Sequence, residues 1–429
     1  MKKIFFLFFI SIPLFSDTLK DITNYALKHS TVIKQTKADF TLSELNQKES
    51  KSKQFGELDA VGSYTHYNIE RTLAPLPPSA MMSGTPITTS KNIYSAGVNY
   101  TVPLFTGFAM TRDVEINSLA KQMQKAKLHL TKEELVYNIR SLYLTTLTLQ
   151  NILKAQNAYI KALNKLKNEI AYKIQLGKKA PIDLIKAEAD LEEAISQKET
   201  LKANIEITKA TLSSLVGKKI KKISPIKVRV SKRYYSIDAL YDRVLTSSKV
   251  KMEDLSVKKA DKMIQKSKAS LYPQLNLNAY YGRNYGKDIK TGNDDSEELY
   301  QVGLNAKYDL IDFGKSSTNI QKAKLAKLKA KLKREQTLLD LKKLIVKAVS
   351  NIKSNYATYK SNKQRYKLSK KSSQIEEVRY NSDASTLNDL LLAKSKAVLA
   401  KAKMIESLYN YKKSQYFLDY VLEKGVKSE

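Results

Sequence analysis

Two periods alternate along this chain. From Phe108 to Leu176, and again from Lys315 to Ser382, apolar residues recur at helical spacing without one Gly or Pro, and Leu128, Leu135, Leu142 and Leu149 fall seven apart. That spacing predicts long helices of coiled-coil type. At 1.5 Å per residue each run makes a rod of about 100 Å, several times the usual helix length. Ahead of each run the period drops to two. In IYSAGVNYTVP, Ile93 to Pro103, the residues Tyr94, Ala96, Val98, Tyr100 and Val102 alternate with Ser95, Gly97, Asn99 and Thr101. YQVGLNAKYDL, Tyr300 to Leu310, sets Tyr300, Val302, Leu304, Ala306, Tyr308 and Leu310 against Gln301, Gly303, Asn305, Lys307 and Asp309. Such strands, with tyrosines near their ends, predict membrane β-barrel strands with the apolar side outward and the polar side inward. LDAVGSYTHY, Leu58 to Tyr67, and LNLNAYY, Leu275 to Tyr281, supply a first strand to each hairpin. The alternative, a soluble sheet edge, gives no use for rods of this length, while four strands alone cannot close a barrel.

The alternation occurs twice because the chain is a tandem duplication. At an offset of 206 residues, Tyr94 falls on Tyr300, Gly97 on Gly303, Asn99 on Asn305, Leu104 on Leu310, Leu135 on Leu341, Ile139 on Ile345 and Asp183-Leu184 on Asp389-Leu390. Glycine and proline punctuate each copy. In LGKKAPIDLIKAEADLEEA, Leu176 to Ala194, Gly177 is placed to stop one helix, Lys178 to Ala180 to bend, and Pro181 to start the return. The return run reaches Val216 before Gly217, and its counterpart runs from about Leu387 to Lys424 before Gly425. Each copy is therefore expected to be a strand pair followed by a long helical hairpin.

Composition narrows the setting. MKKIFFLFFISIPLFS, residues 1–16, has two lysines, an apolar run from Ile4 to Phe15 and a small residue, Ser16, the anatomy of an export leader. No later apolar stretch is long enough for a spanning helix, so a membrane form must use strands. The chain has no Cys, which excludes disulfides and thiolate metal sites. His29, His66 and His129 are far apart and lack ligand-like spacing, so no metal and no cofactor is expected. The net charge of +33 admits nucleic acid, anionic lipid or an acidic partner. The lysines are spread along the periodic runs instead of forming one patch among aromatics, which reads as solvated helix faces. There is no phosphate loop, nucleophile elbow or dinucleotide turn, so no enzyme is expected.

The junctions VPLFTGF, Val102 to Phe108, and YDLIDFGK, Tyr308 to Lys315, together with the two hairpin tips, resemble the TolC-type outer-membrane efflux proteins along the whole mature chain. The resemblance implies a mainly α fold with a transmembrane β-barrel: a homotrimer whose subunits each give four strands to a 12-stranded barrel and two helical hairpins to a periplasmic α-barrel. It implies a passive outer-membrane duct for efflux or secretion, coupled through a periplasmic adaptor to an inner-membrane pump and in contact with outer-membrane lipid but not nucleic acid. The implied division is a first repeat over 17–217 (strand pair about 57–104, hairpin about 108–217, tip near 177–183), a basic connector over 218–237 in an equatorial region, and a second repeat over 238–429 (strand pair about 272–311, hairpin about 314–424, tip near 383–389). Two other readings stand beside it: an adaptor-like periplasmic hairpin protein and a basic coiled-coil nucleic-acid binder.

The resemblance also assigns the tips. Leu176, Gly177 and Lys178 stand at the first adaptor contact, with Lys178 where the family pattern has Leu; Asp383, Ala384 and Ser385 stand at the second, with Asp383 in place of Gly. A tapering trimer crowds Asp183 and Asp389, and like charges at short range favour a bound cation. The family's closing links imply that Tyr380 bonds to Asp183. Ser385 occupies the place of a linking Arg, so one closing link is missing unless Arg379, Lys178 or Lys179 replaces it. The simpler reading is that Asp183 and Asp389 only favour the dipoles of the returning helices.

Overall fold

The computed structural model describes residues 18–82 and 87–426, so the expected leader at 1–16 lies outside the described residues. In chain order the elements are α1 (Leu19–His29), α2 (Thr31–Ser52), β1 (Glu57–Thr72), α3 (Pro78–Met82), β2 (Thr89–Thr106), α4 (Ala109–Gln175), α5 (Pro181–Val216), α6 (Ile237–Val244), α7 (Ser248–Ser267), β3 (Gln274–Lys287), β4 (Asp294–Lys307), α8 (Lys315–Asn381) and α9 (Leu387–Val421). The runs without Gly or Pro become α4 and α8, each of 67 residues. Among the described residues, 18–37, 126–250 and 336–426 form one compact unit, and 38–82, 87–125 and 251–335 form another. Each unit draws on both halves of the duplication, so the repeats are units of sequence rather than of packing.

The unit holding residues 38–125 and 251–335 carries one antiparallel sheet in the order β1-β2-β3-β4. Its register puts the predicted alternation on two faces. Leu58 pairs with Tyr100 and Tyr100 with Ala279, Val98 pairs with Tyr281 and Tyr281 with Tyr300, and Leu277 pairs with Leu304. These share one face, where Val302 is 70% and Leu304 67% exposed. Asn99, Tyr280 and Gln301 share the other. The apolar face ends at the ion pair Arg283–Glu298, 3.7 Å, where the strands run past the apolar band.

Two strand limits differ from expectation. β4 begins at Asp294 and stops at Lys307 instead of running from Tyr300 to Leu310. Lys307 faces Gln274, and the residue before Gln274 is Pro273, which has no N–H to continue the ladder. Beyond it Asp312 accepts from the backbone N–H groups of Gly314 (3.0 Å) and Ser316 (2.8 Å), opening α8. The repeat offset also breaks upstream of the second strand of each pair. β1 starts 217 residues before β3, whereas the tips lie 206 apart, because the connection 73–88 is longer than 288–293.

In the other unit α4 is the central support. Leu135, Ile139, Tyr143 and Leu147 pack with Leu212 and Val216 of α5, Ile22 and Ala26 of α1, and Tyr409 of α9. The basic connector lies on the same core: Ile220 and Ile223 are buried, Lys221 and Lys222 are exposed, and the Tyr143 hydroxyl donates to the Ser224 carbonyl at 2.6 Å. Snorkelling lysines over inward isoleucines account for part of the positive charge without any ligand. α9 stops at Val421, short of the expected Lys424, because Glu423 adopts φ 50° and Lys424 N–H returns to the Asp419 carbonyl at 2.8 Å. The chain then threads onto α4: fully buried Glu133 accepts from the N–H groups of Gly425 (2.7 Å) and Val426 (3.2 Å), and Arg140 donates to the Gly425 carbonyl at 3.1 Å.

Candidate functional site

The two hairpin tips repeat one backbone device. At the first, Gly177 N–H donates to the Ile174 carbonyl (2.9 Å) and Lys178 N–H to the Lys173 carbonyl (2.9 Å). At the second, Asp383 N–H donates to Tyr380 (3.2 Å) and Ala384 N–H to Arg379 (2.8 Å). Both are Schellman turns, which need a left-handed residue at the stop. Gly177 has φ 66° and Asp383 has φ 56°. No atom lies within 4 Å of a Cβ built on Gly177, so conformation alone favours glycine there. The second turn is no wider than the first, and Asp383 is among the few residue types that tolerate this region.

The helices leaving the tips start differently. Ala180 caps α5 with no side-chain hydrogen bond and Pro181 supplies the first helical position. Thr386 caps α9 in a reciprocal box with Asp389: the Asp389 N–H donates to the Thr386 hydroxyl at 3.2 Å, and the Asp389 carboxylate accepts from that hydroxyl at 2.6 Å and from the Thr386 N–H at 3.2 Å. These hydrogen bonds, the hydroxyl's first, hold the Asp389 carboxyl below its ordinary value. Within one chain Asp389 therefore serves α9. Asp183 stands in the first turn of α5.

A cross-tip link forms between residues other than those expected. Tyr380 is 2% exposed, buried with Leu163, Leu166, Ile170 and Ala187, and among the described residues its hydroxyl has no hydrogen-bond partner, so within one chain it does not bond to Asp183. The Lys179 ammonium sits over the buried ring. It lies 4.6 Å from the Tyr380 ring centroid and 2.8 Å from an Asp383 carboxylate oxygen. Burial pushes the Tyr380 hydroxyl up, and Lys179 opposes that push. The hydrogen bond to Lys179, then its charge, holds the Asp383 carboxyl down, and the same bond holds Lys179 up. Among the described residues Arg379 bridges nothing between the tips; it donates to Glu376 (2.8 Å) and to the Ala384 carbonyl (3.2 Å) of its own hairpin. Lys178 is exposed. Of the three replacements expected for the missing Arg, Lys179 alone crosses, and its partner is Asp383 rather than Asp183.

The rim around this link is apolar. Leu176 is 51%, Ile182 52% and Ile185 61% exposed, whereas the Ser385 hydroxyl is buried without a partner. Sequence reasoning missed the Thr386–Asp389 box, although T-x-x-D before an apolar run signals it. It also missed Lys179–Asp383, which joins residues 204 apart and has no local signal. Among the described residues no group of His, Asp and Glu fits a metal ion, and no helix is long and apolar enough to cross a membrane.

Residues 23–218 and 229–422 match the family described as outer membrane efflux protein. No curated protein sequence matches the chain. Solved structures do. The chain is similar to the Campylobacter jejuni CmeC outer membrane channel, with 17% identity and a TM-score of 0.80 over 95% of this chain and 86% of that one. It is similar to the Vibrio cholerae outer membrane protein VceC, with 16% identity and a TM-score of 0.77 over 94% and 96%. It is also similar to the Neisseria gonorrhoeae MtrE outer membrane channel, with 15% identity and a TM-score of 0.76 over 95% and 89%. At these identities the likeness is one of fold.

Proposed function

The chain belongs to the outer membrane efflux protein family, and from that premise we propose that three copies join into one conduit across the outer membrane and periplasm. The family is one of transport conduits, not of enzymes, and neither the adaptor-like nor the nucleic-acid reading gains support from it. One observation carries closure by further copies, and the family resemblance sets their number at three: among the described residues β1 and β4 each have an unpaired edge in a sheet whose one face is apolar and exposed. In lipid an open edge leaves backbone groups unsatisfied, so strands from further copies must close it. Three copies of four strands make twelve.

The tips form the periplasmic end of the conduit. Leu176, Gly177 and Lys178 with Asp383, Ala384 and Ser385 present the surface for a periplasmic adaptor, which couples the conduit to an inner-membrane pump. The apolar rim at Leu176 and Ile182 supports this role. Lys179, Asp383 and Tyr380 hold the two tips of one chain together as a closing link. Asp183 is the inward carboxylate, and its three copies form the ring at which a cation binds. Asp389, engaged by Thr386, contributes less to that ring than the repeat symmetry suggests.

Single-channel recording in planar bilayers tests the closing link. Lys179→Ala should raise conductance several-fold in assembled protein, while Arg379→Ala should not. Equal conductance in wild type and Lys179→Ala removes the link. Asp183→Ala should weaken block by divalent cations added from the periplasmic side more than Asp389→Ala does; the reverse order contradicts the assignment.

A further inference from the structure

In the unit holding the hairpins, α4 and α9 are sheltered while α5 and α8 are not. α4 reaches α5 through Leu135, Ile139, Leu212 and Val216, and reaches α9 through Asn151–Tyr409 at 3.1 Å and Lys413–Thr145 at 2.7 Å. α9 in turn carries α8 through Ala348, Ile352, Tyr411 and Leu418. α5 and α8 thus each turn one apolar stripe toward their own chain and leave another face open.

Those open faces carry opposite charge. Between Leu341 and Ile375, α8 has ten Lys and Arg residues and no Asp or Glu. Lys353, Lys360 and Lys367 are exposed and seven apart, so they share one stripe, and among the described residues no ion pair engages them. On α5, Glu192, Glu199 and Glu206 are also exposed and seven apart. Among the described residues Glu199 and Glu206 pair with lysines of their own helix alone, Lys202 at 2.8 Å, Lys198 at 3.7 Å and Lys209 at 3.6 Å. No ion pair engages Glu192 among the described residues. Such exposed pairs within a helix are weak and exchange readily.

The two rows are also level. Glu192, Glu199 and Glu206 lie 15, 22 and 29 residues after Gly177; Lys367, Lys360 and Lys353 lie 16, 23 and 30 residues before Asp383. Because both turns have the same Schellman geometry, equal counts from Gly177 and Asp383 mean nearly equal heights along α5 and α8. Nearer the turns the match is apolar. Ile182 and Ile185 lie 5 and 8 residues after Gly177, and Val378 and Ile375 lie 5 and 8 before Asp383. All four are exposed, at 52%, 61%, 69% and 49%.

We propose that α8 of one copy lies antiparallel along α5 of the next, with Lys367 against Glu192, Lys360 against Glu199 and Lys353 against Glu206. Ile375 and Val378 cover Ile182 and Ile185 below them. The occupant of the cationic face is a second copy of this chain. Each rung is exposed and modest in energy, but three in register oppose a slip of one heptad, which leaves a rung unpaired at each end. The seam rests on the three-copy reading and says which helices meet within it.

The chain has no Cys, so paired substitutions report the seam directly. Lys360→Cys with Glu199→Cys, treated in isolated outer membranes with a short bifunctional maleimide that spans the gap left by the two long side chains, should give covalent dimers and trimers on a denaturing gel. Lys360→Cys with Glu206→Cys, out of step by about 10 Å, should give at least tenfold less. An in-register pair that yields no interchain product, or only an intrachain loop, while the native mass remains trimeric overturns the seam and leaves the assembly standing. A native mass that is not trimeric in the unsubstituted protein sinks the assembly itself. As an independent arm, Lys353→Glu, Lys360→Glu and Lys367→Glu together should lower the temperature at which assembled protein dissociates, and adding Glu192→Lys, Glu199→Lys and Glu206→Lys should restore it. Failure of the sixfold variant to recover contradicts the pairing.

Discussion

Arginine scanning of β4 tests the face assignment most sharply. Val302 pairs with Ala279 and Leu304 with Leu277, and both lie between the Arg283–Glu298 ion pair toward one strand end and Lys307 at the other. This places them in the middle of the apolar band. An Arg on the lipid face near the bilayer centre costs about 2–4 kcal/mol per strand. With one copy per subunit, a trimer bears roughly 6–12 kcal/mol from one substitution, comparable with the whole stability of many domains. Gln301 and Asn305 stand on the opposite face, where an Arg meets water. Val302→Arg and Leu304→Arg should therefore lose most assembled protein from outer-membrane fractions, with the residue accumulating unassembled in the periplasm. Gln301→Arg and Asn305→Arg should assemble at wild-type levels and change ion selectivity in planar bilayers. Equal yields from all four variants would refute the assignment of lipid and lumen faces.

Three further outcomes follow from the tips and the chain's end. The Lys179–Asp383 link should be insensitive to pH across the neutral range: the depressed Asp383 carboxyl keeps its charge until pH falls below the ordinary Asp value of 3.8, and raised Lys179 keeps its own above 10.5. Conductance in bilayers should thus rise only at strongly acidic or strongly alkaline pH, and a midpoint near pH 6 would point to another group. Thr386→Ala should cost about 1 kcal/mol of stability through the lost cap, read as a lower melting temperature with unchanged conductance. Glu133→Ala strands the buried N–H groups of Gly425 and Val426 and should cost about 1–3 kcal/mol, while Glu133→Gln, which keeps an acceptor, should cost less; equal melting of the two variants would contradict the clamp.

The periods made most of the architecture legible. A run without Gly or Pro specifies where a long helix must persist, and α4 and α8 end within a residue or two of the runs that predicted them. The left-handed stop at Gly177 was readable because glycine is the default for that backbone. Asp383 at the matching position was readable only through the repeat offset. What escaped was contact between distant residues. The strand limit at Lys307 depends on Pro273 across the sheet, and the end of α9 depends on Glu133 of α4 drawing in Gly425. Tyr380 looked like a hydrogen-bonding partner by position, but burial in the apolar cluster of α4 and α5 decides its role. The repeat offset treats Asp183 and Asp389 alike, but their local partners differ: Thr386 engages Asp389, and Ala180 offers nothing to Asp183.

Native mass of the protein extracted in detergent from the outer-membrane fraction tests the central claim, a conduit closed by three copies. The account predicts a single species of three chains, each of at most 48.6 kDa. A stable single chain in that fraction, or a protein found only as a soluble periplasmic species, would contradict it.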